Sequence, residues 1–155
     1  MSSPSWRRNA LPTSGVVVLL VDSHDDSRNM YAEYLRACWF TVRAADTTDL
    51  GLLYAADADV VVTEIRVRGS FDGVELVRRL KSGDDTHETP ILVLTGSVLE
   101  SEQARAVAAG CDRFLSRPCA PAQLVSEIRA ALVHRIVPKP KTAPSRSTEL
   151  KRDAS

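Results

Sequence analysis

The run Val16-Val-Val-Leu-Leu-Val-Asp22 decides the fold of this chain of 155 residues. Its apolar part is too short to span a bilayer, and it is typical of a strand buried on both faces of a parallel sheet. Three further apolar runs also close on a polar side chain, and the four closing residues are Asp22, Glu64, Thr95 and Arg117. Because the carboxyl ends of parallel strands meet at one edge of the sheet, we expect these side chains to surround one crevice.

Helical segments alternate with strands, and the pattern repeats five times. The predicted strands are Val16–Asp22, Phe40–Ala44, Asp59–Glu64, Pro90–Thr95 and Asp112–Ser116. Such a repeat predicts right-handed crossovers and a three-layer α/β sandwich. The second strand alternates apolar and polar residues, which favours an edge position. The expected fold class is a flavodoxin-like (βα)₅ sandwich with a parallel five-stranded sheet in the order 2-1-3-4-5.

Apolar positions at helical spacing predict which helix faces are buried. In the first helix, expected from about Asp26, this face holds Met30, Tyr34, Leu35 and Cys38. In the second helix it holds Leu50, Leu53 and Tyr54. In the fifth helix it holds Leu124, Val125, Ile128, Ala131 and Leu132. Ser97 and Glu100 have the spacing of a capping box at the start of the fourth helix.

The charge balance limits the classes of partner. The 20 basic and 20 acidic residues give a formal net charge of zero, so the chain as a whole would attract neither nucleic acid nor an anionic membrane. The N-terminus has no apolar segment of the kind found in secretory signals. Three cysteines without paired spacing are typical of thiols in a reducing compartment, namely Cys38, Cys111 and Cys119. We therefore expect a cytoplasmic protein.

Polar, proline-containing segments flank the alternating region. Residues 1–14 and 138–155 have little apolar surface to bury, and we expect both to be disordered tails. The folded domain between them is predicted to span residues 15–137.

Three motifs at strand ends indicate a family when they are taken together: LLVDSHDDSR at 19–28, LTG at 94–96 and FLSRP at 114–118. With these motifs, residues 15–135 resemble the receiver domain of two-component response regulators. The resemblance implies two adjacent acids after strand 1 and an aspartate after strand 3 that together hold Mg²⁺. In that family the aspartate accepts a phosphoryl group from a kinase histidine. A hydroxyl after strand 4, a switch aromatic on strand 5 and a lysine at its end complete the site.

Four residues keep the family's pattern, and three depart from it. The residues that match are Asp22 as the first acid, Thr95 as the hydroxyl, Phe114 as the switch aromatic and Pro118 as the proline that often follows a cis peptide bond. Ser23 stands where the second acid is expected, Glu64 where the phosphoacceptor aspartate is expected, and Arg117 where the lysine is expected. The loop after strand 3 is also one residue longer than the family usually has, because Gly73 follows Glu64 by nine positions.

The three departures from the family's pattern all predict weaker phosphorylation or weaker Mg²⁺ binding. One extra methylene moves the Glu64 carboxylate out of a geometry tuned to aspartate, and such misplacement can cost on the order of 100-fold in rate. With Ser23 in place of an acid, the site loses a negative charge, so its Mg²⁺ affinity should fall. The permanently charged fork of Arg117 can pair with Glu64 or Asp22 and fill the place of the cation.

We therefore hypothesise an atypical single-domain response regulator, or pseudo-receiver. It would not be an enzyme, and it would have no cofactor beyond weak Mg²⁺ binding at the vestigial positions Asp22, Ser23 and Glu64. Two versions stay open: Glu64 imitates an acyl phosphate, or a Glu64–Arg117 pair locks an inactive-like state. The alternative is a Mg²⁺-dependent phosphoacceptor receiver in a two-component phosphorelay. A nucleotide or flavin binder fits less well, because the acidic segment SHDDSR at 23–28 would repel phosphate.

Signal output is expected to pass through a protein partner, since the segment after Pro138 is too short and too polar for an output domain. The expected partner is a histidine kinase or another signalling protein. The resemblance also implies a homodimer through the helix 4–strand 5–helix 5 face. Residues on this face are expected to include Glu102, Arg105, Ala109, Arg113 and Arg129. The same mixed charges would also suit an ordinary solvated surface.

Overall fold

The computed structural model describes residues 15–136, with side chains through residue 133. The predicted tails, residues 1–14 and 138–155, lie outside this range. The strands are β1 Val17–Val21, β2 Thr41–Ala45, β3 Val60–Thr63, β4 Ile91–Thr95 and β5 Arg113–Ser116. The helices are α1 Asp25–Ala37, α2 Thr48–Tyr54, α3 Gly73–Ser82, α4 Glu100–Ala109 and α5 Pro121–Ile136, and a 3₁₀ turn follows α2 at Ala55–Asp57.

The strands form one parallel sheet in the order β2-β1-β3-β4-β5, which confirms the predicted fold class. Val21 at the end of β1 pairs with Thr63 at the end of β3, and the Glu64 N–H donates to the Val21 carbonyl over 3.0 Å. Thr95 at the end of β4 pairs with Ser116 at the end of β5. This register places the residues that follow the strands side by side at one edge of the sheet.

Two apolar layers cover the two faces of the sheet. Val18 and Leu20 of β1 point into a layer with α1 and α5, whereas Leu19 and Val21 point into a layer with α3 and α4. Burying a side chain of this size contributes about 1.5–3 kcal/mol, so the central strands anchor the sheet that carries the crevice. Within residues 15–136, the helices are too short or too polar to cross a membrane.

The buried face of α1 differs from the predicted one. Tyr31 and Leu35 are buried, whereas Met30 and Tyr34 are 43% and 39% exposed. The Tyr31 hydroxyl donates to the Cys119 carbonyl over 2.6 Å, which orients this side of the helix towards the segment after β5. The helix face is therefore chosen by a contact between distant parts of the chain as well as by apolar spacing.

Two other local predictions were wrong. Leu53 of α2 is 70% exposed, because Gly51 forms the inner side of this short helix against the sheet. Helix α4 begins at Glu100 with Leu99 as its N-cap, and no side chain caps it. The Ser97 hydroxyl instead accepts the Leu99 N–H over 3.3 Å and closes a turn before the helix. By contrast, the five predicted positions of α5 are all buried.

Candidate functional site at the carboxyl edge of the sheet

Arg117 joins the ends of three strands. Its Nη2 donates to Asp22 Oδ2 over 3.0 Å, and its Nε lies 3.3 Å from Glu64 Oε2. The Asp22 side chain is 2% exposed, that of Glu64 is 11% exposed and that of Arg117 is 24% exposed. The structure therefore brings two carboxylates and a guanidinium together where water screens their attraction only in part. We call these three residues, with Ser27, the Arg117 pocket.

Both oxygens of the Asp22 carboxylate have hydrogen-bond donors. Oδ1 accepts the His24 N–H over 3.0 Å, while Oδ2 accepts from the Ser27 hydroxyl as well as from Arg117. The His24 ring itself is largely in solvent, with Nδ1 3.8 Å from Asp22 Oδ1. The buried carboxylate is thus surrounded by donors from the first turn of α1 and from the end of β5.

The Glu64 carboxylate turns back onto the backbone. Oε1 accepts the N–H of Ile65 over 2.7 Å, and Oε2 accepts the N–H of Gly96 over 3.3 Å. Arg117 Nε lies close to Oε2 but is not aligned to donate, so this buried nitrogen has no hydrogen-bond partner among the described residues. The Glu64–Arg117 contact is an ion pair, whereas the Asp22–Arg117 contact is a charge-assisted hydrogen bond.

Ser23 makes a separate set of contacts. Its hydroxyl donates to the Asp46 carbonyl over 2.9 Å and accepts the Arg68 N–H over 2.7 Å. These bonds hold the β3–α3 loop against the end of β2, where an isolated parallel bridge pairs Thr47 with Arg68. A carboxylate at position 23 could accept the N–H but could not donate to the carbonyl, so a hydroxyl suits both partners.

The β3–α3 loop also docks on the first turn of α2. The Thr48 N–H donates to the Arg68 carbonyl over 2.9 Å, and the Thr48 hydroxyl donates to the Phe71 carbonyl over 2.6 Å. The Ser70 N–H donates to Asp49 Oδ2 over 2.9 Å, and hydrogen bonds from Ser70 lower the pKa of Asp49.

A glycine lets the loop approach α2 closely. Gly69 has φ +135°, and a Cβ at this position would meet the Thr48 hydroxyl, so other residues would be strained there. We call Ser23, Asp46–Asp49 and Arg68–Phe71 the Ser23 clasp. It holds the β3–α3 loop on the side of β1 that faces β2.

Thr95 and Phe114 lie near the crevice but have other contacts. The Thr95 side chain is buried, and its hydroxyl oxygen accepts the Ser97 N–H over 3.1 Å within its own turn. No hydrogen bond joins it to Glu64 within the described part of the chain. Phe114 is half-buried and packs against the apolar layer of α3 and α4.

Two residues of α1, Ser27 and Tyr31, hold the segment after β5. Arg117 Nη1 donates to the Ser27 hydroxyl over 2.9 Å, and the peptide bond between Arg117 and Pro118 is cis. The Tyr31 hydroxyl, whose pKa is raised by burial, donates to the Cys119 carbonyl. Sequence reasoning missed both residues. Their spacing of four places them on one helix face, but spacing does not tell which strand that face meets.

Comparison with known proteins assigns the chain to a family. The family model of the response regulator receiver domain matches residues 18–129. The chain belongs to this family. The receiver domain is 29% identical over 120 residues to the phosphate regulon transcriptional regulatory protein PhoB of Pseudomonas aeruginosa, covering 76% of this chain and 52% of that protein. It is 34% identical over 120 residues to the response regulator MprA of Mycobacterium ulcerans, covering 76% and 50%.

A solved structure has the same architecture. It is the signal receiver domain of an HD domain-containing protein from Pseudomonas fluorescens Pf-5, with a TM-score of 0.73 and 26% identity, covering 81% of this chain and 93% of that one. Residues 18–129 therefore form a response regulator receiver domain, the kind of domain found in two-component signalling. The chain spans about half the length of the curated relatives it matches.

The expected docking face of this receiver domain has many of its charges paired within the molecule. The ion pairs are Glu102–Arg66, Arg105–Asp72 and Arg113–Glu127, with N–O distances of 3.3, 3.2 and 2.9 Å. Ala109 packs against the apolar layer of α3 and α4, while Arg129 is exposed. The large apolar side chains exposed before and along α4 are Val98, Leu99 and Val107. Because these charges are paired within the molecule, this surface offers a partner fewer free charges than the sequence indicates.

Proposed function

We propose that this receiver domain works as a pseudo-receiver, a signalling module that binds a protein partner and is not phosphorylated in the conventional way. The Arg117 guanidinium between the Asp22 and Glu64 carboxylates carries the proposal. Arginine is permanently charged, so it balances in the pocket the negative charge that a metal ion would otherwise balance. In this proposal the protein is not an enzyme, because the group that would accept a phosphoryl group is already paired.

The oxygen atoms of the site do not suit strong Mg²⁺ binding. Mg²⁺ needs near-octahedral oxygen ligands and gives up its water reluctantly. The oxygens of Asp22 and Glu64 already accept hydrogen bonds, and the Ser23 hydroxyl bridges Arg68 and Asp46. Across the described residues, no three His, Cys, Asp or Glu side chains are grouped to hold a metal ion. The proposed pocket therefore takes no cofactor and binds Mg²⁺ weakly at most.

Of the two versions of the hypothesis, the locked pocket has more support. A glutamate that imitates an acyl phosphate would carry one charge, against about −1.5 to −2 for a phosphate. It would also be expected to accept a hydrogen bond from the Thr95 hydroxyl, and no such bond joins the two side chains among the described residues. Glu64 takes its hydrogen bonds from two backbone N–H groups and pairs with Arg117. We therefore propose that these contacts keep the pocket in one state.

A module with a constant pocket would signal through its surface. We propose a cytoplasmic role in which the partner is a histidine kinase or another signalling protein. The exposed apolar side chains before and along α4 offer a contact surface beside β5, and a homodimer could use the same side. The zero net charge of the chain gives no support for a role on nucleic acid or on a membrane surface.

Incubation with acetyl phosphate and Mg²⁺, followed by intact mass spectrometry, tests the proposal. We expect the mass of the wild type to stay unchanged while a conventional receiver domain gains one phosphoryl group in the same assay. A stoichiometric gain on the wild type that disappears in Glu64→Gln would overturn the pseudo-receiver. It would support the Mg²⁺-dependent phosphoacceptor receiver in its place.

A further inference from the structure

Ser27, Asp22 and Arg117 form a closed ring of hydrogen bonds. The Ser27 hydroxyl donates to Asp22 Oδ2 and accepts from Arg117 Nη1 over 2.9 Å, while Arg117 Nη2 donates to the same Asp22 oxygen over 3.0 Å. Nη2 of the guanidinium is therefore directed at the end of β1, and Nη1 at the first turn of α1. An alanine at position 27 would remove the acceptor of Nη1 and one donor of Asp22.

Tyr31 holds the same arginine from a second direction. Its ring centroid lies 5.6 Å from Arg117 Cζ, within the range of a cation–π contact. Its hydroxyl donates to the Cys119 carbonyl, two residues beyond Arg117, so it also fixes the backbone that carries the guanidinium. The Tyr31 side chain is buried in the apolar layer between α1, α5 and the sheet.

Without these contacts, the Arg117 side chain would be free to turn out of the pocket into solvent. Its side chain is 24% exposed, and a long arginine stem readily turns its charged head towards water. Such a turn would leave Asp22 and Glu64 without their common cation. The two carboxylates would then repel each other and attract an ion from solution.

We propose that Ser27 and Tyr31 are positioning residues that keep Arg117 inside the pocket and thereby make the pocket exclude divalent cations. The inference rests on the proposed function, in which Arg117 occupies the place of the ion. It adds the two α1 residues that determine this selectivity.

An NMR titration with Mg²⁺ tests the inference on the whole chain. The amide signals of Ser23 and Ile65 report the apparent Kd, and the Arg117 Nε–H signal reports exchange with water. We expect Ser27→Ala and Tyr31→Phe each to tighten Mg²⁺ binding by about 5–10-fold and to speed the Nε–H exchange, because Ser27→Ala removes the two hydrogen bonds of its hydroxyl and Tyr31→Phe removes the one to the Cys119 carbonyl.

Two matched controls remove similar groups elsewhere. Ser82→Ala deletes an exposed hydroxyl that donates to the Arg78 carbonyl. Tyr54→Phe deletes the hydroxyl of a ring that also stacks on an arginine, with Arg43 Cζ 3.9 Å from its centroid. Both controls should keep the wild-type Mg²⁺ affinity and the wild-type Arg117 signal.

Measuring Mg²⁺ affinity in the Arg117→Ala background separates the positioning of Arg117 from a general destabilisation of the pocket. Arg117→Ala alone should tighten Mg²⁺ binding, and adding Ser27→Ala should then change the Kd by less than about twofold. Two results would overturn the inference. One is an equal gain in Mg²⁺ affinity from Ser27→Ala in the wild type and in Arg117→Ala. The other is unchanged Arg117 Nε–H exchange in folded Ser27→Ala and Tyr31→Phe variants. Tight Mg²⁺ binding by the wild type would overturn the proposed function instead. Thermal unfolding shows which variants are folded. One folded variant, Ser27→Ala or Tyr31→Phe, is enough to decide between these outcomes.

Discussion

The Arg117 pocket and the Ser23 clasp lie on opposite sides of the end of β1, and different forces hold them. In the pocket, Arg117 is held by two carboxylates in a largely buried place. In the clasp, the uncharged Ser23 hydroxyl bridges two backbone groups, and the neighbouring loop is fixed by further hydrogen bonds. The pocket therefore depends on charge, and the clasp depends on having a donor and an acceptor in one small group.

The comparison shows that two neighbours in the chain, Asp22 and Ser23, serve separate structures. The Asp22 carboxylate is paired with Arg117, which directly follows β5. Ser23 carries no charge, and its hydroxyl oxygen accepts the Arg68 N–H of the β3–α3 loop. Restoring an acid at position 23 would therefore disturb the clasp without removing the arginine from the pocket.

Arg117→Ala should give the largest effect, because it leaves Asp22 and Glu64 without their common cation. Breaking a buried ion pair costs about 3–5 kcal/mol, and the partial exposure of Arg117 reduces our expectation to about 2–3 kcal/mol of unfolding free energy. Urea unfolding followed by circular dichroism measures it. The matched control is Arg105→Ala, whose exposed pair with Asp72 should contribute about 0–1 kcal/mol. Equal losses of unfolding free energy in both variants would show that the pocket depends on charge no more than the exposed Arg105–Asp72 pair does.

Ser23→Ala should have an intermediate effect confined to the clasp. It leaves the Arg68 N–H and the Asp46 carbonyl without their common partner, at an expected cost of about 1–2 kcal/mol. Hydrogen exchange should become faster at the Arg68 amide and stay unchanged at the amides beside Arg117. Ser23→Thr keeps the hydroxyl and serves as the control. Unchanged exchange at Arg68 in the alanine variant would contradict the proposed role of the hydroxyl.

Acid should weaken the clasp through Asp49, with the smallest effect. Hydrogen bonds from Ser70 lower the pKa of Asp49 in the folded state, so its contribution is complete above the ordinary aspartate pKa of about 3.9 and is lost as the pH falls through the lower folded value. Protection of the Ser70 amide from exchange should therefore decrease only in that acidic range. Asp49→Asn should remove this pH dependence. A decrease centred near neutral pH would point to another titrating group.

Much of the fold follows from local patterns. The apolar runs that end at Asp22 and Glu64 predict central strands, and their parallel pairing brings both carboxylates to one edge. The α5 stripe is also correct, because an amphipathic helix with one clear apolar face has one way to pack on a sheet. For α1 the apolar spacing misled, since Met30 and Tyr34 are exposed while Tyr31 faces inwards.

The contacts within the site were harder to predict. The resemblance drew attention to Ser23, Glu64 and Arg117, and the possible pairing of Arg117 with an acid could be stated from charge alone. Ser27 and Tyr31 carried no comparable signal, because serine and tyrosine are common on helices. The partner of Ser27 is also distant in the chain, since Arg117 follows it by 90 residues. Similarly, the spacing of Ser97 and Glu100 fits a capping box, but the turn before α4 uses the serine differently.

The sequence by itself determined the alternation of strands and helices, the edge at which the polar strand ends meet, and the replacement of family residues by Ser23, Glu64 and Arg117. Hydrophobic periodicity and residue type are local properties, so they can be read along the chain. Only the tertiary structure decided that Arg117 is held by Ser27 and Tyr31 and that Ser23 belongs to a clasp with α2. Those outcomes depend on distances between side chains from different elements, and such distances exist only once the sheet and helices have packed.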